Sequence, residues 1–209
     1  MTPLDELKAR LAGCPLVAII RGVTPPEAEA IGEAVYGAGI RIVEVPLNSP
    51  DPYESIAILA RSLGERALVG AGTVLEAEQV ERVAQAGGRV IVAPNTSIPV
   101  IEAAAERGMV SLPGYFTASE AFAAIGAGAT GLKLFPAEGA SPAVLKAQRA
   151  VLPRHVPVLA VGGVNPGNMR PWLDAGADGF GLGSGLYKPG QSAEETAAKA
   201  RAYVEGVRA

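Results

Sequence analysis

IRIVEVPLNSPDPYESIAILARSLGERALVGAG, residues 40–72, holds one complete structural unit. It opens on a short apolar run, Ile40–Pro46, and closes on another, Ala67–Gly72. Between them, roughly 51–63, lies a stretch of helical character. Strands that alternate apolar and polar residues have one wet face. Nearly unbroken Val/Ile/Leu/Ala runs such as these mark parallel strands covered on both faces. The unit therefore reads as strand, helix, parallel strand.

The same rhythm runs outward in both directions. Predicted strands are Leu16–Arg21, Ile40–Pro46, Ala67–Gly72, Arg89–Ala93, Met109–Pro113, Thr130–Phe135, Val156–Val161 and Gly179–Gly183. Predicted helices cover roughly 25–37, 51–63, 76–86, 98–106, 118–126, 141–151, 167–175 and 192–207. Several helices end in one small phrase: GAGI at 37–40, QAGG at 85–88, ERGM at 106–109, GAGA at 126–129 and DAGAD at 174–178. A glycine just past a helix supplies the left-handed turn back into the sheet. Thr24 before Pro25 and Pro26, Ser49 before Pro50, and Asn165 before Pro166 are expected to cap helix starts. Eight such units imply a (β/α)8 barrel in the α/β class, with short loops and an extra N-terminal helix. The expected organisation is one domain, 1–209, with a helix over 1–14 and the barrel over 15–209. An open doubly wound sheet would need a glycine-rich phosphate loop after its first strand, and RGVTPPEA at 21–28 is not one.

Composition narrows the functions. Apolar residues make up 49% and charged residues 19% of 209, which argues against disorder. A net charge of −3 gives no footprint for nucleic acid or a membrane surface. Cys14 is alone, so neither an internal disulfide nor a cysteine-type zinc site is expected. The first residues, MTPLDELKARLAG, read as an amphipathic helix and not a signal peptide, so a cytoplasmic location is expected.

A barrel carries its site at the C-terminal ends of its strands. The polar residues there are Arg21, Glu44, Asn48, Thr73, Asn95 and Lys133, with Ser184 just beyond the last strand. Lys133, between two leucines, is costly to bury in its charged form. It reads either as a buried ion pair with Glu44 or as an amine of lowered pKa ready to attack a carbonyl. Glu44 is the only acid within any strand, and reads correspondingly as ion-pair partner or general acid/base. His155, Cys14 and Asp178 fall at the opposite end. No metal or cofactor is expected. VGGVNPGN at 161–168 and GLGSG at 181–185 follow the last two strands, where barrels commonly seat phosphate.

VEVPLNSP at 43–50, GAGTVL at 70–75, APN at 93–95, LKLFPAEGASP at 132–142, AVGGVNPGN at 160–168 and GLGSGLY at 181–187 together resemble the 2-keto-3-deoxy-6-phosphogluconate/phosphogalactonate aldolase family. Residues 21–25, 46–50 and 190–192 look most like its phosphogalactonate branch. The resemblance implies a Schiff-base retro-aldol cleavage of a phosphorylated 2-keto-3-deoxy sugar acid to pyruvate and glyceraldehyde 3-phosphate. It implies Lys133 as the Schiff-base lysine and Glu44 as the acid/base. Thr73 would contact the pyruvyl carboxylate, and Pro94 and Phe135 would line the pocket. Gly162, Gly163, Gly183 and Ser184 would seat phosphate. Asn48 stands where the gluconate branch commonly has arginine, which leaves Arg21 a share in carboxylate recognition. Val161 stands where that branch often has threonine. A homotrimer is implied as well. Two alternatives remain at this level: a 4-hydroxy-2-oxoglutarate aldolase, which has no use for a phosphate seat, and a non-catalytic sugar-phosphate-binding barrel.

Overall fold

Nine strand segments alternate with nine helices over residues 1–208, the part described by this computed structural model; Ala209, the end of the predicted barrel, lies outside the described residues. The strands are β1 (Leu16–Ile19), β2 (Ile42–Pro46), β3 (Leu68–Gly72), β4 (Val90–Val92), β5 (Val110–Leu112), β6 (Gly114–Tyr115), β7 (Leu132–Leu134), β8 (Val158–Val161) and β9 (Gly179–Leu182). The helices are α1 (Pro3–Gly13), α2 (Pro25–Ala38), α3 (Pro52–Leu63), α4 (Ala77–Gln85), α5 (Ile98–Glu106), α6 (Ala118–Gly126), α7 (Pro142–Arg149), α8 (Met169–Asp174) and α9 (Ala193–Gly206). Every strand pairing is parallel, in the order β5-β4-β3-β2-β1-β9-β8-β7-β6.

The two ends of that order are one stave. The fifth predicted strand runs on past Pro113, which has no N–H to give, into a second short segment. Its first half, β5, pairs with β4, and its second half, β6, pairs with β7. The carbonyl of Pro113 itself accepts from Lys133 N–H at 2.9 Å. Eight staves thus close a (β/α)8 barrel.

Side chains divide between two cores. Alternate residues such as Val43, Val45, Leu132 and Leu134 belong to the large cluster under the helices. Their neighbours in sequence, including Val17, Ile42, Leu68, Val90, Val110 and Leu159, fill the barrel interior. Both faces are dry, which is why the sequence runs are continuous and not alternating. Leu7 and Leu11, one turn apart on α1, belong to the interior cluster and plug the N-terminal end of the barrel.

Two of the three expected caps are corrected. Thr24 does cap α2, forming a capping box with Glu27. Ser49 does not cap α3, whose N-cap is Asp51. Its buried hydroxyl instead accepts from Gly22 N–H at 2.9 Å, tying the loop after β1 to the loop after β2. Asn165 precedes Pro166 but caps no helix, because α8 starts only at Met169. Its side chain accepts from Gly167 N–H at 3.0 Å in a local turn. Gly39 closes α2 at φ 115°, as its phrase in the sequence predicts.

Candidate active site

Lys133 sits on β7 and Glu44 on β2. In the closed order these staves are four apart in either direction, so the two side chains start from opposite walls of the barrel. Both belong to the inward-facing parity: Leu132 and Leu134 point to the helices, as do Val43 and Val45. Together they border a small apolar cavity walled by Val17, Val92, Leu159 and Val161. Glu44 is 2% exposed and Lys133 8%.

They are not an ion pair. No salt bridge joins them, and Glu44 Oε2 has no hydrogen-bond partner among the described residues. Lys133 Nζ lies 4.6 Å from the centre of the Phe135 ring. Burial pushes the Glu44 carboxyl up to about 7, against the opposing pull of Lys133 and Arg21. Burial also holds the Lys133 amine below its usual value; Glu44 opposes that shift and Arg21 adds to it. Desolvation thus drives both groups toward their neutral forms, and a neutral amine is the nucleophilic one.

The carboxyl has a seat of its own. A side chain at Gly72 would place its first carbon 1.9 Å from Glu44 Oε2, so any larger residue there would displace the carboxyl. Next along the chain, Thr73 adopts φ 57°, the left-handed region that β-branched residues rarely enter. Its neighbours on both sides are fixed: Leu47 N–H donates to Gly72 O at 2.8 Å, and Val74 N–H to Val92 O at 3.2 Å. The strain is held in place and delivers Thr73 to the wall of the main cavity.

That cavity, about 560 Å3, opens at the C-terminal ends of the strands. Of the sequence-predicted residues, Thr73, Pro94, Lys133, Phe135 and Val161 line it, as does the exposed Arg21. Gly162, Gly163, Gly183 and Ser184 line its mouth. Asn48 is exposed and outside the wall; it reaches the site only by accepting a hydrogen bond from Arg21. Asn95 is exposed and also outside it. At the opposite end, Asp178 accepts from Val158 N–H, and His155 and Cys14 take no part in the cavity.

The mouth is built from unused amides. Among the described residues, the N–H groups of Gly163, Val164, Ser184 and Gly185 donate to no other group of the chain. Asn168 keeps the first loop in shape by donating to Gly163 O and accepting from Asn165 N–H, both at 2.9 Å. Gly162 and Gly163 take φ values of 112° and 67°. Successive free amides of this kind attract an anion.

Lys188, Glu138 and Tyr203 also line the cavity, and sequence reasoning missed them. Lys188 reads as an outer-loop lysine, yet it shares the loop that carries Ser184. Glu138 lies five residues past Lys133, beyond the strand end; its carboxylate packs against Gly163. Tyr203 comes from the far part of α9, and no strand-end pattern reaches it.

A buried amine opposite a buried carboxyl, beneath a rim of unpartnered amides at the C-terminal ends of the strands, marks this as an enzyme-type barrel site. Over residues 7–200 the chain matches the KDPG and KHG aldolase family, and it belongs to that family; it is an aldolase, a carbon–carbon lyase. It is 50% identical over 194 residues to the 2-dehydro-3-deoxy-6-phosphogalactonate aldolase of Escherichia coli (strain K12), covering 93% of this chain and 95% of that protein. A native KDPGal structure matches with a TM-score of 0.91 at 50% identity, over 93% of this chain and 94% of that one. So does a cube-shaped protein cage designed by fusing symmetric oligomeric domains, at the same TM-score and identity, over 93% of this chain and 72% of that one. No described helix is long and apolar enough to cross a membrane.

Proposed function

We propose that the chain cleaves 2-dehydro-3-deoxy-6-phosphogalactonate to pyruvate and D-glyceraldehyde 3-phosphate through a Schiff base on Lys133, in galactonate degradation. The observation that carries this reading is the buried Lys133 amine sharing one small cavity with the Glu44 carboxyl, whose Oε2 has no hydrogen-bond partner among the described residues. Lys133 Nζ attacks the C2 ketone, and loss of water leaves an iminium. The C4 hydroxyl gives its proton to Glu44 as the C3–C4 bond breaks. The bonding pair flows into the iminium and leaves an enamine, while C4 departs as the aldehyde. Protonation of the enamine at C3 and hydrolysis release pyruvate and the free amine. In this reading Thr73 and Arg21, both on the cavity wall, hold the C1 carboxylate, and Asn48 steadies Arg21 by accepting its hydrogen bond. Pro94, Phe135 and Val161 enclose the carbon chain.

The free amides of Gly163, Val164, Ser184 and Gly185 favour a phosphorylated substrate over 4-hydroxy-2-oxoglutarate, which would leave them unused. Lys188 at the rim adds a positive charge. A phosphorylated sugar acid is a multiply charged anion that does not cross membranes unaided, so the enzyme belongs where it is made, and we assign it to the cytoplasm.

We assign a homotrimer as well. Leu75 after β3, Ile98 at the start of α5, Phe116 after β6 and Phe122 on α6 leave large apolar side chains exposed on successive staves. Such neighbouring apolar exposure fits contact with further copies of the chain. The structural match to a cage built from symmetric oligomeric domains is in keeping with this.

Incubation with pyruvate and borohydride tests the chemistry. It is expected to inactivate the enzyme and add the reduced adduct at Lys133 alone, sparing Lys8, Lys146, Lys188 and Lys199. Peptide mapping that finds Lys133 unmodified and another lysine labelled defeats the mechanism.

A further inference from the structure

The two loops that form the mouth come from different staves, and something must fix their spacing. One side chain touches both. Tyr203 on α9 is 5% exposed, and its hydroxyl donates to Val164 O in the first loop at 3.2 Å. In the second loop, a side chain at Gly185 would place its first carbon 2.2 Å from the same hydroxyl oxygen. The contacted residues directly follow Gly163 and Ser184. The helix meets the first loop a second time one turn later, where a side chain at Gly206 would fall 2.8 Å from Pro166 Cβ. Both glycines are bare because helix and loops already occupy the space.

We propose that Tyr203 is a positioning residue that sets the gap between the two amide loops, and so the enzyme's preference for a phosphorylated substrate. It acts through the loops: its one hydroxyl is spent on a backbone carbonyl. The proposal rests on the reading of the mouth as a phosphate seat. It separates two jobs within one site. Lys133 and Glu44 lie on β7 and β2, whereas the Tyr203 hydroxyl meets the loops after β8 and β9.

The readout is the ratio of kcat/KM for the phosphorylated 2-keto-3-deoxy sugar acid over its unphosphorylated counterpart. This ratio does not depend on the fraction of protein that folds. Tyr203→Phe is expected to lower it about three- to tenfold, the scale of one hydrogen bond. Gly185→Ala, whose new methyl collides with the hydroxyl, is expected to lower it further. The double variant should recover part of that loss, because without the hydroxyl the nearest ring atom lies at an ordinary 3.4 Å. A ratio unchanged in Tyr203→Phe, or a double variant that loses the full sum of both effects, overturns the proposal. A wild type that does not distinguish the two substrates brings down the phosphate seat itself, and the role of Tyr203 with it.

Discussion

A carboxyl with a folded pKa of about 7 leaves two marks on this protein. The first is kinetic. Glu44 accepts a proton only when ionised, so kcat should climb as pH rises through about 7. Glu44→Gln should lower kcat by roughly 10²–10⁴-fold and abolish that limb, as stopped-time assays across pH will show. The second mark is thermodynamic. Below the unfolded value of 4.5 the group is protonated in both states and its stabilising share is intact; as pH rises toward about 7 that share is lost. A shift of this size corresponds to about 3 kcal/mol. Glu44→Gln escapes the loss, so denaturation at pH 8 should find the variant the more stable protein, and at pH 4.5 it should have no such advantage. Val161, 7% exposed on the cavity wall, bears on selectivity. The galactonate and gluconate substrates differ at C4, and valine offers that carbon no hydrogen bond. Val161→Thr should move the ratio of kcat/KM values toward the gluconate epimer by roughly 1–3 kcal/mol, measured with both epimers on both proteins. Lys133 and Glu44 were legible in the sequence because a charge inside an apolar strand has few explanations. Lys188, Glu138 and Tyr203 were not, because a polar residue on a loop or helix is ordinary until the fold brings it to a cavity.

Among the elements, α1 has the most independent job. It belongs to no β-loop-α unit, yet Leu7, wholly buried, fills the floor of the barrel beside Val17, Ile42 and Leu68. Leu7→Ala should cost about 2–5 kcal/mol of stability by opening a cavity there. Urea midpoints will report it, while borohydride labelling at Lys133 by pyruvate should persist. The sequence announced this helix and its amphipathic character but not what it covered, since nothing in residues 1–14 states which end of a barrel they close. The strands were legible as elements and less so at their edges. The predicted strand Leu16–Arg21 is two residues longer than β1, because Ile20 still donates to Glu44 O while Arg21 and Gly22 already turn. The split of the fifth stave was hidden for a related reason: Pro113 reads as a strand end, whereas its carbonyl still serves the ladder. Ser49 and Asn165 carry the residue types of caps, and tertiary partners took them for other uses.

For the whole molecule, the exposed apolar side chains on staves three to five set a question of assembly. Phe122, 48% exposed on α6, is a direct probe. Phe122→Asp should shift the mass in light scattering from three chains toward one, and a wild type that runs as a monomer at all concentrations defeats the trimer. The opposed placement of Lys133 and Glu44 reaches further. A cut at the exposed turn near Gly108, where a side chain would meet nothing within 4 Å, divides the molecule into two half-barrels of four units each. The first keeps Glu44, Arg21, Thr73 and Pro94; the second keeps Lys133, Phe135, Val161 and both amide loops. Neither half owns a reaction. One would be a scaffold with an acid and the other a scaffold with an amine, so turnover in a mixture of the two would count reunited barrels and nothing else.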